Sequence, residues 1–326
     1  MATAFNPANS VTVTTADKFI PDIWSDEIVA AYRKNLILAN VVMKMNFKGK
    51  KGDTIHVPAP TRGSASAKVA TNAVTLIAAT ESEVQILINK HYEYSRLIED
   101  IVEAQALNSL RQFYTSDAGY ALARQVDTDL IQLGRAFNGA TVGTDDYATA
   151  AATTKAFIGS DGTTAYNSST SNAAGLTDAA IRRTIQRLDD NDTPMDGRFF
   201  IIPPSSRNTL MGLARYTEQA FIGEAGGSNT IRNGEIGNLY GIPVFVTSNA
   251  DTGAGTSATD RICLMGHKES MVLVEQMGVR SQTQYKQEYL GTLFTSDMLY
   301  GVKAMRTAAT VGAATSSSAF ALAVPA

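Results

Sequence analysis

One stretch of helical periodicity, residues 109–137, constrains the fold of this chain more than any other feature. Its apolar side chains recur at intervals of four or three residues and therefore share one side of a helix: Leu110, Tyr114, Ala118, Leu122, Val126, Leu130, Leu133 and Phe137. Such a helix is roughly 40 Å long, at about 1.5 Å per residue. The mean spacing of about 3.9 residues exceeds the 3.6 of a straight helix, so the stripe winds around the axis. We predict a bend at residues 115–119, where T-S-D is followed by Gly119.

The composition indicates a globular protein. The 326 residues are 44% apolar and 18% charged, with a formal net charge of -3. No apolar run approaches the roughly 18 residues of a transmembrane helix, and no secretion signal is visible, so we expect a protein that stays in the cytosol where it is made. The single cysteine, Cys263, excludes an intrachain disulfide and is predicted to lie in a buried strand. The net charge gives no general reason to expect tight nucleic-acid binding.

Residues 44–98 predict a long two-stranded arm. Residues 54–57 alternate in polarity, and Pro58 and Pro60 are tolerated only on an edge strand. A second run places apolar side chains on one face, namely Val84, Ile86, Ile88, Tyr92 and Tyr94. An isolated hairpin is marginally stable in water. We therefore expect the arm to rest on another surface, and a second chain is one candidate for that support.

The charges around this arm are unevenly distributed. Between residues 44 and 68, six basic residues accompany one acidic residue, whereas between 81 and 103 six acidic residues accompany two basic ones. Solvated strand faces are one explanation. The other is that the basic arm of one subunit lies on the acidic base of its neighbour, with charge setting the register. The candidate interface residues are Lys50, Lys51, Arg62 and Lys68 on the basic side and Glu99, Asp100 and Glu103 on the acidic side.

The remaining chain reads as a mixed domain. Residues 138–175 are poor in charge and predict a long loop or irregular hairpin, which we interpret as a candidate intersubunit extension. Thr177 is predicted to cap a helix, and residues 198–202 form an apolar run typical of a central strand. Further strands are predicted at residues 241–249, 261–265, 271–274 and 300–306, with 261–265 and 271–274 in the same sheet. The C-terminal tail is low in complexity and predicts no element.

No motif supports catalysis, a metal or a cofactor. The three histidines, His56, His91 and His267, lack the spacing of a helical metal pair. Residues 49–54 lack the spacing of a phosphate-binding loop, and no G-x-S-x-G elbow occurs. The acidic residues at 189–192 are explained by the turn before Pro194 better than by calcium.

The order of these segments resembles the major capsid proteins of tailed bacteriophages, and most of all those of short-tailed podoviruses. The resemblance covers about residues 20–312. Three segments carry it: L-D-D-N-D-T-P-M-D-G-R-F-F-I-I-P-P at 188–204, N-G-E-I-G-N-L-Y-G-I-P-V-F-V-T-S-N at 233–249, and Y-G-V-K-A-M-R at 300–306. It implies an α+β chain with the phage capsid fold of the Hong Kong 97 type.

The resemblance also implies a division of the chain. An N-terminal arm would comprise residues 1–45, an extended loop hairpin 46–97, a peripheral domain with the long helix 98–175 and 290–326, and an axial domain 176–289. From the winding of the apolar stripe, we also expect the C-terminal half of the long helix to pack on its own sheet, while its N-terminal half and acidic lead-in are available to a neighbour's arm.

Hexamers and pentamers of such a chain would close an icosahedral shell around double-stranded DNA. The virion would assemble in the host cytoplasm, and no membrane partner is expected. The implied partners are a separate scaffolding protein, a portal protein, a decoration or cement protein, and packaged DNA contacted without sequence specificity. Some relatives crosslink an arm lysine to an asparagine, but no motif here identifies the receiving residue.

Three alternatives remain open at this point. An encapsulin nanocompartment shell shares the fold but packages enzyme cargo. A cytosolic α/β enzyme and a secreted adhesin are the others, disfavoured by the missing catalytic spacing and the missing signal respectively.

Overall fold

The computed structural model describes residues 37–48, 51–60, 65–70, 73–74, 76, 81–100, 109–139, 156–167, 170–213, 237–253, 259–305 and 317–326. The helices are α1 (Leu38–Val41), α2 (Ser109–Gln132), α3 (Asp178–Asp190) and α4 (Pro204–Met211). The strands are β1 (Met43–Asn46), β2 (Thr54–Pro60), β3 (Glu81–Leu87), β4 (Lys90–Glu99), β5 (Phe157–Ile158), β6 (Arg198–Ile202), β7 (Asn238–Leu239), β8 (Ile242–Val246), β9 (Arg261–His267), β10 (Met271–Lys286), β11 (Gly291–Ala304) and β12 (Ala319–Val324).

These strands form three sheets. One has four strands in the order β1-β10-β11-β4, one has six in the order β5-β12-β9-β6-β8-β7, and the third is the two-stranded hairpin β2-β3. We call that hairpin the arm. Helices and mixed sheets together confirm the predicted α+β class.

The long helix predicted from periodicity is α2, which continues as a 3-10 helix over Leu133–Gly139. The stripe is buried from Ala118 onward. From Leu122 onward its members share one core with Phe199 of β6 and Met298 of β11, so α2 packs against both larger sheets. This explains why the stripe winds around the axis. The helical turns continue without a break through residues 115–119, and the bend there stays a prediction.

The second alternating run is two strands and not one. The run divides at residues 88–89, where the chain leaves one pairing for another: β3 pairs with β2, whereas β4 pairs with β11. β3 belongs to the arm and β4 to the four-stranded sheet. β11 passes close to this break: a Cβ at Gly301 would lie 2.4 Å from the Leu87 carbonyl oxygen, so only glycine fits there.

The arm rests on its own chain at its base. Ile86 and Ile88 are buried against Val272 and Val274 of β10. In the described part of the chain β2 pairs only with β3, which confirms the edge position inferred from Pro58 and Pro60. The support that an isolated hairpin requires is therefore supplied, at least at the base, within the subunit.

The six-stranded sheet confirms several local predictions. β6 is fully buried and lies between β9 and β8. The Thr177 hydroxyl accepts the Ala180 amide at 3.3 Å and so caps α3, as predicted. The acidic turn after α3 is held by Arg198, which donates to Asp189 and to the Thr193 carbonyl, both at 2.6 Å.

Two strands lie where the sequence did not place them. The low-complexity tail contains β12, a wholly buried strand between β5 and β9. β10 does not continue the sheet of β9, because a 3-10 turn at Lys268–Ser270 redirects the chain into the four-stranded sheet. Strand pairing therefore crosses the chain ranges proposed for the two domains: β5 and β12 lie in the same sheet as β6–β9, and β10 pairs with β11.

The described part of residues 138–175 packs on its own subunit. Ala156 and Tyr166 are buried with Ile262 of β9 and Ala321 of β12. The Tyr166 hydroxyl also donates to Asp260 at 2.9 Å. An intersubunit role for this segment stays a prediction.

Replacing Gly119 by alanine should stabilise the folded chain. A Cβ at this position in α2 meets no atom within 4 Å. The substitution should therefore raise the free energy of unfolding by about 1 kcal/mol, because alanine loses less backbone entropy in a helix. Urea unfolding of the unassembled chain measures this change. The matched control, Ala123→Gly on the exposed face, should lower stability by a similar amount. A lower free energy of unfolding in the Gly119→Ala chain would show that a methyl group at this position clashes with its surroundings.

Candidate assembly surface and its supporting network

The three histidines have ordinary partners. His56 Nδ1 lies 2.9 Å from Glu83, His91 Nε2 3.1 Å from Asp297, and His267 Nε2 2.9 Å from the Asp196 carbonyl. Within the described ranges no three His, Cys, Asp or Glu side chains gather as metal ligands. Among the same residues, no helix is long and apolar enough to span a bilayer.

Cys263 is fully buried in β9, as predicted. Burial raises the pKa of its thiol to about 12. The thiol therefore stays protonated and unreactive at neutral pH.

Four of the predicted interface residues lie in the described chain, and all are exposed: Lys51, Lys68, Glu99 and Asp100. Asp100 accepts the Tyr285 hydroxyl at 2.7 Å, and Lys68 Nζ donates to the Val69 carbonyl at 3.0 Å. Lys50, Arg62 and Glu103 lie outside the described residues.

Lys51 and Glu99 lie at opposite ends of β4. The Gly52 carbonyl accepts from Gln276 at 2.9 Å, and Asp53 contacts Ile88, which places Lys51 beside the start of the strand. Glu99 is its last residue, nine residues beyond Lys90, or about 30 Å away in an extended strand. The two charges are too far apart to pair within one subunit.

Asp127 of α2 joins three separate parts of the chain. Its side chain is fully buried. Oδ1 accepts the amides of Ile37 and Leu38 at 3.2 and 2.8 Å, and Oδ2 accepts the Asn249 side-chain amide at 3.1 Å. The carboxylate thus fixes the start of α1 and the loop after β8 to the long helix.

Asp129, two residues further along the same helix, joins α2 to the base of the arm. Its Oδ2 accepts the Tyr300 hydroxyl at 2.6 Å and Lys90 Nζ at 3.1 Å. Its Oδ1 accepts Gln125 at 3.1 Å. Burial raises the pKa of Tyr300 far above its ordinary value, and its ring stacks on Tyr92 at 5.9 Å. This network fixes the first residue of β4, where the arm leaves the body.

A third link closes the same helix end. Arg135, in the 3-10 turn after α2, donates two hydrogen bonds of 2.8 Å to Asp251. A two-pronged arginine–carboxylate pair fixes orientation as well as distance. The C-terminal end of α2 is therefore tied to the six-stranded sheet.

The N-terminal half of α2 also contacts its own four-stranded sheet, which the sequence did not predict. The Tyr94 hydroxyl of β4 donates to Asp117 at 3.0 Å. Arg96 lies over the Tyr114 ring, 4.6 Å from its centroid. The face of β4 that continues the arm's apolar stripe turns toward the helix, and a contact between this half of α2 and a neighbour's arm stays a prediction.

The opposite face of the four-stranded sheet carries a charged cluster. Arg280 of β10 donates to both oxygens of Asp297 on β11, at 2.7 and 2.9 Å. His91 of β4 approaches the same carboxylate. The Arg280 hydrogen bonds hold the pKa of Asp297 below its usual value.

Removing the Tyr300 hydroxyl should weaken the arm base. Tyr300→Phe keeps the ring stack but leaves the buried Asp129 carboxylate with one donor fewer. We expect the free energy of unfolding to fall by about 1–2 kcal/mol. Urea unfolding measures the loss. Tyr92→Phe, the same chemical change on the partly buried stacked ring, should be nearly neutral, and equal losses in the two variants would contradict the network's importance.

The Arg280–Asp297 pair should give a stability increment that depends on pH. Because the pKa of Asp297 is lowered in the folded chain, ionised Asp297 stabilises that chain above the unfolded carboxyl pKa of about 3.9. The increment is lost as the pH falls through the lower folded pKa. Arg280→Gln should therefore unfold more easily than the parent near neutrality, and the difference should shrink in acid. Thermal unfolding across pH measures it, and a constant difference would contradict the pairing.

The chain is similar to known phage capsid proteins in sequence profile and in structure. A sequence profile of the phage capsid protein family matches residues 28–313. No curated protein sequence matches the chain.

Several solved structures share the fold. The capsid structure of cyanophage P-SCSP1u is similar with a TM-score of 0.71 and 21% identity, over 98% of both chains. A chain of Mycobacterium phage Che8 gives 0.69 and 20%, over 94% of this chain and 97% of its own. The cyanophage Pam1 capsid gives 0.67 and 14%, over 100% and 99% respectively. These similarities confirm the predicted capsid fold of the Hong Kong 97 type.

Proposed function

We propose that this chain, which belongs to the phage capsid protein family, is the major capsid protein of a tailed bacteriophage. Members of this family are structural proteins of the virion and not enzymes. We propose in addition that hexamers and pentamers of the chain close an icosahedral shell around double-stranded DNA. The single observation that carries it is the family match over residues 28–313, and solved capsids of phages with the same fold support it.

The positions of the exposed charges on the arm and at the end of β4 support a contact between neighbouring subunits. Lys51 and Glu99 are exposed, and neither forms an ion pair with any described residue. They are about 30 Å apart along β4, so a pairing requires two subunits. In a closed shell each contact joins different surfaces, and the binding energy is spread over many of them.

We keep the proposed division into an N-terminal arm, an extended loop, a peripheral domain and an axial domain, with boundaries adjusted to strand pairing. The peripheral domain would contain α2 and the four-stranded sheet. The axial domain would contain the six-stranded sheet, including Phe157–Ile158 and Ala319–Val324.

The proposed partners are the proteins and the DNA that take part in the assembly of a phage capsid. A separate scaffolding protein guides closure in the host cytoplasm, a portal protein occupies one vertex, and a decoration or cement protein is a further candidate. Packaged DNA is contacted without sequence specificity, in keeping with the net charge of -3.

Negative-stain electron microscopy of the purified chain, expressed with and without its scaffolding protein, tests the function. We expect uniform closed shells with the scaffolding protein and irregular or few shells without it. Efficient closure of uniform shells by the chain alone would contradict the separate scaffold. A small homogeneous oligomer without particles would contradict the shell itself, and particles from infected cells filled with enzyme instead of DNA would favour an encapsulin.

Charge reversal should test the subunit contact. The double variant Lys50→Glu/Lys51→Glu should lower shell yield several-fold, because the basic arm then meets an acidic base. Adding Glu99→Lys/Asp100→Lys should partly restore it. Shell yield is measured by sedimentation.

The matched control for this reversal is Lys268→Glu, a charge change in the 3-10 turn between β9 and β10. It should leave the yield unchanged. The proposed pairing would be excluded if the Lys50/Lys51 double variant kept the yield of the parent chain. It would also be excluded if adding Glu99→Lys/Asp100→Lys restored none of the lost yield.

A further inference from the structure

A cavity of about 300 Å³ lies where the arm joins the body. Its walls come from the end of β3, the start of β4, the end of α2 and β11. The polar lining residues are Gln85, Asn89, Lys90, Asp129, Gln132 and Lys303. Leu87, Leu133 and Val302 form an apolar wall.

Three polar side chains in this lining have unused hydrogen-bond donors. Lys303, Asn89 and Gln132 form no hydrogen bond or ion pair with their side chains in the part of the chain that the structure describes. An ammonium and two amides offer up to seven N–H donors. They come from different elements and converge on one cavity.

The charge in the cavity is unbalanced. Among the described residues that line it, Asp129 is the single carboxylate, and it already accepts from Lys90, Tyr300 and Gln125. Lys303 is therefore a second cation, and no carboxylate of the described residues pairs with it. A low-dielectric wall on one side strengthens its attraction for a negative ligand.

We propose that this cavity binds one small oxyanion, a phosphate or a carboxylate. Lys303 supplies the charge, and the amides of Asn89 and Gln132 donate to the remaining oxygens. The volume equals about ten water molecules at roughly 30 Å³ each, which suits a phosphate or acetate ion with a few waters. Because Asn89 lies between the arm and the body, the bound ion fastens the arm base to α2 and β11. The inference does not depend on shell assembly.

Thermal unfolding of the unassembled full-length chain tests the site. Sodium phosphate and sodium acetate are compared with sodium chloride at equal ionic strength. At least one of the two oxyanions should raise Tm by about 2–4 °C, with saturation at one ion per chain by calorimetric titration. The two salts distinguish a phosphate from a carboxylate as the ligand.

Variants locate the effect in the cavity. Lys303→Gln should abolish the rise, whereas Lys303→Arg should retain it. Gln132→Ala, on the exposed side of α2, should lower the affinity about tenfold and serves if Lys303→Gln fails to fold. Lys286→Gln, at the far end of β10, should keep the full rise. The proposal would be overturned if neither oxyanion raised the Tm of the parent chain. It would also be overturned if the Tm of Lys303→Gln rose as much as that of the parent, or if Gln132→Ala bound the oxyanion with unchanged affinity.

Discussion

A buried carboxylate that forms no ion pair with any described residue is the constraint on which the rest of this subunit depends. Asp127 is held by hydrogen bonds from the Ile37 and Leu38 amides and from Asn249. Removing any donor would leave a buried charge partly unsatisfied, which costs more than the hydrogen bond contributes when formed. The start of α1, the long helix and the loop after β8 are therefore bound to one another.

The same helix fixes the position of the arm. Two residues beyond Asp127, Asp129 holds Lys90 at the point where β4 begins, and Arg135 holds Asp251 beside the six-stranded sheet. The long helix α2 is thus a rigid reference element that fixes the positions of both larger sheets and the arm base. A shell subunit needs such a reference, because its contacts are spread over distant surfaces that must keep their relative positions.

The sequence pattern predicted those elements whose formation depends on neighbouring residues in the chain. The long helix, the Thr177 cap and the central strand β6 follow from periodicity and capping within a few residues. β12 was missed because half of its residues are alanine, which has a low strand propensity, and because its place in the sheet depends on pairing with the distant β9 and β5. Asp127 was missed because its donors lie 90 and 122 residues away in sequence. The charged interface was predicted from composition alone, and the structure adds that Lys51 and Glu99 cannot meet within one subunit.

Hydrogen–deuterium exchange of an Asp127→Asn chain tests the central claim most directly. The substitution keeps the shape of the side chain but removes its charge and places an amide donor against Asn249. The account predicts that the Ile37 and Leu38 amides exchange roughly tenfold faster, while the amides of β6 keep their protection. Asp117→Asn, on the same helix, should leave the Ile37 and Leu38 amides unchanged. Equal protection of these two amides in the parent and Asp127→Asn chains would contradict the claim that this carboxylate holds the subunit together.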